Sequence, residues 1–211
     1  GFVFGGPCLR RLGMLVFGQQ LQVARSAFVR QISGAQRALV VGDGDGRFLA
    51  ELVQAQPELE VDYLDASARM LELARARVDS ERVRFLHEEL LEAALPAAHY
   101  DLVATHFFLD CFTETALREV VGKLSGSATD DAIWLVADFR ETRRWFGRLL
   151  LATTYLFFRA VAGIEARRLV DYAPLLRAAG FCLTNETISP NELVRSQRWA
   201  RRREHSRRDK W

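Results

Sequence analysis

The sequence predicts an α/β domain, on three observations. First, Ala38–Val41 is a run of four apolar residues that turns through Gly42, Gly44 and Gly46 into a segment with helical spacing. That is a buried strand entering a glycine turn and then a helix. Second, short apolar runs alternate with helix-like segments along the rest of the chain, the pattern of a mostly parallel sheet. Third, two strand-like runs near the end flank Ser189-Pro190-Asn191, which reads as a closing antiparallel pair.

The elements follow in order. Leu9–Ile32 has helical apolar spacing and stops at Ser33-Gly34. Arg37–Val41 is too apolar to have a wet face and belongs in the centre of a sheet covered on both sides. A helix at Arg47–Gln56 is stopped by Pro57, and a second strand, Leu59–Leu64, ends at Asp65. Ser67 is placed to cap a helix running to Val78. Val83–Leu86 and Tyr100–Thr105 are the third and fourth strands, Glu114–Leu124 a helix, and Ala132–Ala137 the fifth strand. Residues 144–165 read as an unusually apolar helix inserted after that strand. Its uncharged run lies between Arg148 and Arg159 and falls short of the roughly 20 residues a membrane span needs. Leu169–Ala179 is a helix closed by Gly180, and Phe181–Ile188 with Glu192–Trp199 forms the final pair.

Composition narrows the function classes. A chain of 211 residues, 49% hydrophobic and 27% charged, fits one globular domain, taken here as residues 1–199 with a basic tail at 200–211. From Arg195 onward eight Lys/Arg residues face only Glu204 and Asp209, so a net charge of +2 leaves the preceding body with an acidic excess. Such a body does not suit nucleic acid; only the tail has the charge to touch phosphates or an anionic membrane surface. Cys8, Cys111 and Cys182 are scattered and odd in number, which argues against a disulfide framework and a zinc site and for a reducing, cytoplasmic setting. No metal site is expected.

The glycine spacing discriminates further. A dinucleotide fingerprint would need its third glycine at Arg47; here it comes one residue early, at Gly46. G-x-G-x-G, an acid 19 residues past Gly46 at Asp65, and the stretch Asp101–Asp110 together resemble the class I S-adenosylmethionine-dependent methyltransferases, over about Leu15 to Trp199. The resemblance implies a Rossmann-like seven-stranded, mostly parallel sheet with helices on both faces and an antiparallel last strand. It implies S-adenosyl-L-methionine as cofactor and methyl transfer to a small acceptor; the apolar 144–165 segment points to a hydrophobic or aromatic one.

The site residues follow from the same resemblance. Gly42, Gly44 and Gly46, with Asp43 between them, would approach the methionine part, and Asp43 and Asp45 are expected to be exposed. Asp65 would accept the ribose hydroxyls, beside Ala66. Glu89, with Glu88 as the alternative, would meet the adenine amino group, and Leu90 would offer its amide to the ring. Thr105 and His106 end the fourth strand at the ligand-binding edge. His106 is the candidate proton acceptor, with Asp110 four residues on as the residue to orient it. Asp138, Phe139 and Arg140 could line the acceptor side. One position departs from the family: the acid usual two residues before the first glycine is Val40 here. That leaves the methionine ammonium to backbone carbonyls or to another acid. Two other readings stay open, aminopropyl transfer on the same fold and a binding module without chemistry.

Overall fold

The computed structural model describes residues 19–139, 171–190 and 192–202. The expectations for 1–18, for the whole of the 144–165 helix and for 203–211 lie outside the described residues, as does Arg140.

Seven strands form one sheet in the order β3-β2-β1-β4-β5-β7-β6. They are β1 Arg37–Val41, β2 Glu60–Asp65, β3 Val83–His87, β4 Tyr100–His106, β5 Ala128–Phe139, β6 Phe181–Ile188 and β7 Val194–Arg201. The first five pair in parallel, and β7 runs antiparallel to both β5 and β6. Helices are α1 (19–26), α2 Arg47–Ala55, α3 Ala68–Arg77, α4 Glu114–Ser127 and α5 Ala173–Ala178. The chain steps outward from β1 to β3 and then returns beside β1 as β4. That reversal opens a crevice at the carboxyl ends of β1 and β4, where open α/β sheets bind ligands.

Both faces of the central strands are dry. On one, Leu39, Val103, Trp134 and Trp199 pack under α4 and α5 through Leu117, Val120, Leu124 and Leu176. On the other, Val40, Tyr63, Leu102 and Leu135 pack under α2 and α3 through Phe48, Leu52, Leu71 and Ala74. Burial on both faces is why β1 reads as an unbroken apolar run. Ser67 caps α3 by accepting from the Met70 amide at 3.4 Å, as its position before the helix predicts.

Several boundaries differ from expectation. α1 ends at residue 26, and the chain continues through a 3-10 turn at Val29–Gln31. Phe28, Val29 and Ile32 stay buried in that turn, so the apolar spacing outlasts the helix. β5 begins at Ala128, directly after α4. α5 starts at Ala173, with Pro174 in its first turn. β7 starts at Val194, because Glu192 takes φ +61°. It also runs into the segment assigned to the basic tail: Arg201 donates to the carbonyls of Ala128 (2.7 Å) and Ser125 (3.1 Å). Among the described residues no helix is long and apolar enough to cross a membrane, and Cys111 and Cys182 are free thiols.

At the opposite edge from the crevice, a polar knot ties β2, β3 and β4. Arg84 grips Asp62 through two hydrogen bonds (2.7 and 2.5 Å), and the Tyr100 hydroxyl donates to the same carboxylate at 2.6 Å. Burial pushes the Asp62 pKa up, but Arg84, Tyr100 and His99 outweigh it and hold it below the ordinary carboxylate range. A depressed folded-state pKa contributes stability above the unfolded value that is lost as pH falls through the folded one. Asp62→Asn should therefore cost about 1–3 kcal/mol at neutral pH, chiefly through the stranded Tyr100 hydroxyl. In urea melts its deficit should shrink below about pH 4; a deficit independent of pH would contradict this account.

Candidate active site

The glycine turn sits at the head of the crevice. Gly42, Gly44 and Gly46 all take positive φ, between 62° and 80°. Two of them are glycine for packing reasons. A Cβ on Gly46 would stand 2.8 Å from the Ala74 Cα of α3, and one on Gly42 would stand 2.4 Å from the Phe108 ring. Gly44 is open, with only the Met70 sulfur at 3.9 Å. The Tyr63 hydroxyl fixes the turn by donating to the Gly44 carbonyl at 2.8 Å.

Asp65 ends β2 beside this turn and is buried. It accepts from the Ser67 amide at 2.8 Å and faces the Gly44 amide. Burial raises its pKa; those two amides oppose the rise, and the negative charges of Asp43 and Glu89 add to it. Glu89 is thus within electrostatic reach of Asp65, as an adenine-side acid would be. Glu88 and Glu89 are both exposed. The neighbouring His87 Nε2 lies 3.0 Å from the Ala66 carbonyl and links the ends of β2 and β3. Leu90 puts its side chain into the core.

Asp43 is not exposed. It is 1% accessible, in contact with elements far away in sequence. Its Oδ1 lies 3.8 Å from Arg25 Nε on α1 and 3.8 Å from His106 Nδ1 at the end of β4. Asp45 is partly exposed and pairs with Arg47 (2.9 Å) and Arg77 (3.1 Å). Nothing local in the sequence marks Arg25 as a neighbour of the glycine turn. Its signal is positional: four residues after Leu21 and three before Phe28, it shares the buried stripe of the helical spacing.

His106 is 2% accessible and packs edge-on against Phe48, with ring centroids 4.3 Å apart. Burial lowers its pKa, more than Asp43 raises it, so the imidazole is neutral. The acid beside it is Asp43 rather than Asp110. Phe107, at φ +54°, turns the chain sharply after β4. Asp110 then falls in a 3-10 turn, Leu109–Cys111, within electrostatic reach of Asp138. Asp138 is 1% accessible, and its two carboxylate oxygens make no hydrogen bond. Burial and Asp110 push its pKa well up. Thr105 is fully buried, and its hydroxyl accepts from the Trp134 indole at 2.9 Å, which makes it part of the core. Two hollows among the described residues, of about 1100 and 470 Å³, lie away from this edge, against α1–α2 and around Asp62.

Residues 38–127 match a family model described as a methyltransferase domain. The chain is 32% identical over 106 residues to a protein of Mycobacterium tuberculosis (strain H37Rv) described as an uncharacterized methyltransferase, covering 50% of this chain and 52% of that protein. It thus spans about half the length of the curated relatives it matches. Among solved structures, the mitomycin 7-O-methyltransferase MmcR superposes with a TM-score of 0.68 at 22% identity, over 92% of this chain and 56% of that one. The 1,6-didemethyltoxoflavin-N1-methyltransferase of Burkholderia thailandensis gives a TM-score of 0.64 at 17% identity, over 95% and 92%. At such identities the likeness is one of fold. The G-x-G-x-G turn and the acid-ended second strand lie within the residues matched as a methyltransferase domain, and the seven-stranded sheet is the fold these solved methyltransferases share.

Proposed function

We propose that this protein transfers a methyl group from S-adenosyl-L-methionine to a small, hydrophobic or aromatic acceptor. One observation carries the donor assignment: Asp65, a buried carboxylate, stands at the end of β2 beside a turn whose Gly44 is open above its Cα. A carboxylate there can accept both hydroxyls of a ribose. The donor supplies a methyl carbon already activated by the sulfonium charge. The chain's residues then have to hold and align. Gly42, Gly44 and Gly46, with Asp43, take the methionine side; Asp65 and Ala66 take the ribose; Glu89 and the Leu90 amide take the adenine. Thr105 and His106 close the β4 end.

Alignment at near-attack distance and exclusion of water account for most of the expected rate. Where the acceptor carries a proton, the neutral His106 is the group assigned to take it, with Asp110 as the second candidate. The Phe107–Phe139 ring pair, with centroids 5.0 Å apart at the ends of β4 and β5, supports an apolar acceptor side. So do the small-molecule activities named for the two solved neighbours.

One observation favours aminopropyl transfer instead: Asp43, Asp65, Asp110 and Asp138 are all buried near the carboxyl ends of β1, β2, β4 and β5, an acidic setting for a polyamine. Calorimetry with S-adenosylhomocysteine tests the donor assignment. Micromolar binding is expected; no heat at high micromolar ligand would overturn it and favour a module that has lost its chemistry.

A further inference from the structure

At the amino ends of β1 to β4, on the far side of the sheet from the crevice, lies the hollow of about 470 Å³ around Asp62. That volume is within the range of small-molecule sites. Ala38, Val61 and Tyr100 back it, each at most 2% accessible. Three guanidinium groups line it, from Arg37 at the start of β1, Arg82 just before β3 and Arg84 on β3.

None of the three is fully used. Arg84 donates to Asp62 through Nε and Nη2, and its Nη1 has no partner among the described residues. Arg82 donates through Nη1 alone, to the carbonyls of Gln56 and Leu59 at 3.2 Å each, which leaves Nε and Nη2. The Arg37 side chain makes no hydrogen bond among the described residues; its Nε stands 4.0 Å from a Glu60 oxygen, beyond hydrogen-bond length. His99 brings a fourth donor, edge-on to the Tyr100 ring with centroids 5.0 Å apart.

Acceptors are scarcer. Both Asp62 oxygens are already committed, to Arg84 and to the Tyr100 hydroxyl. A buried ion pair of this kind adds little stability over apolar packing. What it does accomplish is to hold a guanidinium in place, so that less freedom is lost when a ligand arrives. The two carbonyls do the same for Arg82. Glu60 and Glu81 formally balance the remaining charge, but the Glu60 side chain is 73% accessible and Glu81 is exposed, so solvent and salt screen both. Arg82 is half-buried, and its charge is screened less. Pre-positioned forks with unused N–H groups match the oxygens of a phosphate or carboxylate.

We propose that this hollow binds a small oxyanion of two or more negative charges, a phosphate ester or a polycarboxylate, held between Arg37, Arg82 and Arg84. Three incompletely used guanidinium groups call for more than one charge, and the volume exceeds what a single carboxylate fills. The site is separate from the crevice and stands whether or not the glycine turn binds an S-adenosyl donor.

Calorimetry at constant ionic strength tests it, with pyrophosphate and citrate as probes on the full chain, Arg37→Gln, Arg82→Gln and Arg69→Gln, and a thermal melt of each variant. Arg69, 70% accessible on α3 and outside the hollow, controls for a general loss of positive charge. The unaltered protein should bind at least one probe with a Kd on the order of 0.1–1 mM. Pyrophosphate alone would identify a phosphate-bearing ligand, and citrate alone a polycarboxylate. Arg37→Gln and Arg82→Gln should each weaken binding by about 5- to 20-fold, while Arg69→Gln leaves it unchanged. Arg37→Gln should also keep its affinity for S-adenosylhomocysteine, because the crevice lies at the other ends of the strands. No heat from either probe at about 10 mM, or equal losses in Arg37→Gln and Arg69→Gln, would overturn the site. Should Arg82→Gln fail to fold for want of its two carbonyl contacts, Arg37→Gln decides.

Discussion

Asp65→Asn is expected to weaken S-adenosylhomocysteine binding by about 100-fold, because hydrogen bonds to a buried charged acceptor contribute roughly 1.5–3 kcal/mol each. The amide keeps the size of the side chain and one acceptor oxygen, so the Ser67 amide, now bonded at 2.8 Å, can retain its partner. Stability should therefore hold while affinity falls. Burial has already made the charged form of Asp65 unfavourable, and the acids at Asp43 and Glu89 make it more so. A raised folded-state pKa costs stability at neutral pH, and losing the charge removes that cost. The same shift sets a pH dependence. Ribose hydroxyls donate to the ionised carboxylate, so affinity should fall on acidification, starting at a pH above that of an ordinary aspartate. In Asp65→Asn the fall should vanish. An unchanged affinity, or a pH profile identical in the two proteins, would remove Asp65 from the donor site and with it the central support for the proposed reaction.

The place of Asp65 at the end of β2 is legible in the sequence because two local signals meet: a strand's apolar run and a fixed distance from the glycines. Asp43 is buried against expectation because what covers it is not local. A residue between turn glycines is exposed unless something closes over it, and here Arg25 from α1 and His106 from β4 do so, 18 residues before it and 63 residues after it. The His106–Asp110 pairing failed for a related reason. A spacing of four implies contact only if the chain stays helical, and the left-handed turn at Phe107 breaks that condition at once. Boundaries erred where burial and helicity part company. The apolar periodicity that set the first helix to run to Ile32 is real burial, but Val29–Gln31 meets it in a 3-10 turn. The apolar run Ala132–Ala137 understates β5, because Thr129, Asp130 and Asp131 are polar and partly or fully exposed, yet the strand includes them. The sheet order itself has no local signature and came with the resemblance.

Gly46→Ala should be the most destabilising single-methyl change in the turn. Two costs add. The alanine must hold φ near +76°, at about 1–2 kcal/mol. Its Cβ must also fit 2.8 Å from both the Cα and the Cβ of Ala74. Ala74 is fully buried in α3 and has no flexible side chain to swing aside, so α3 itself must shift, an overpacking cost of about 1–3 kcal/mol. For a domain of this size the sum corresponds to a melting temperature lower by about 10 °C. Gly44→Ala separates packing from ligand access. It bears the same backbone strain at φ +80° but meets only the Met70 sulfur at 3.9 Å. It should melt a few degrees lower at most while losing S-adenosylhomocysteine affinity, because its methyl enters the space assigned to the donor. If Gly44→Ala binds the ligand normally, the open side of the turn is not the donor's seat. If Gly46→Ala melts like the unaltered protein, the third glycine does not hold α3 against the turn, and its early position needs another cause.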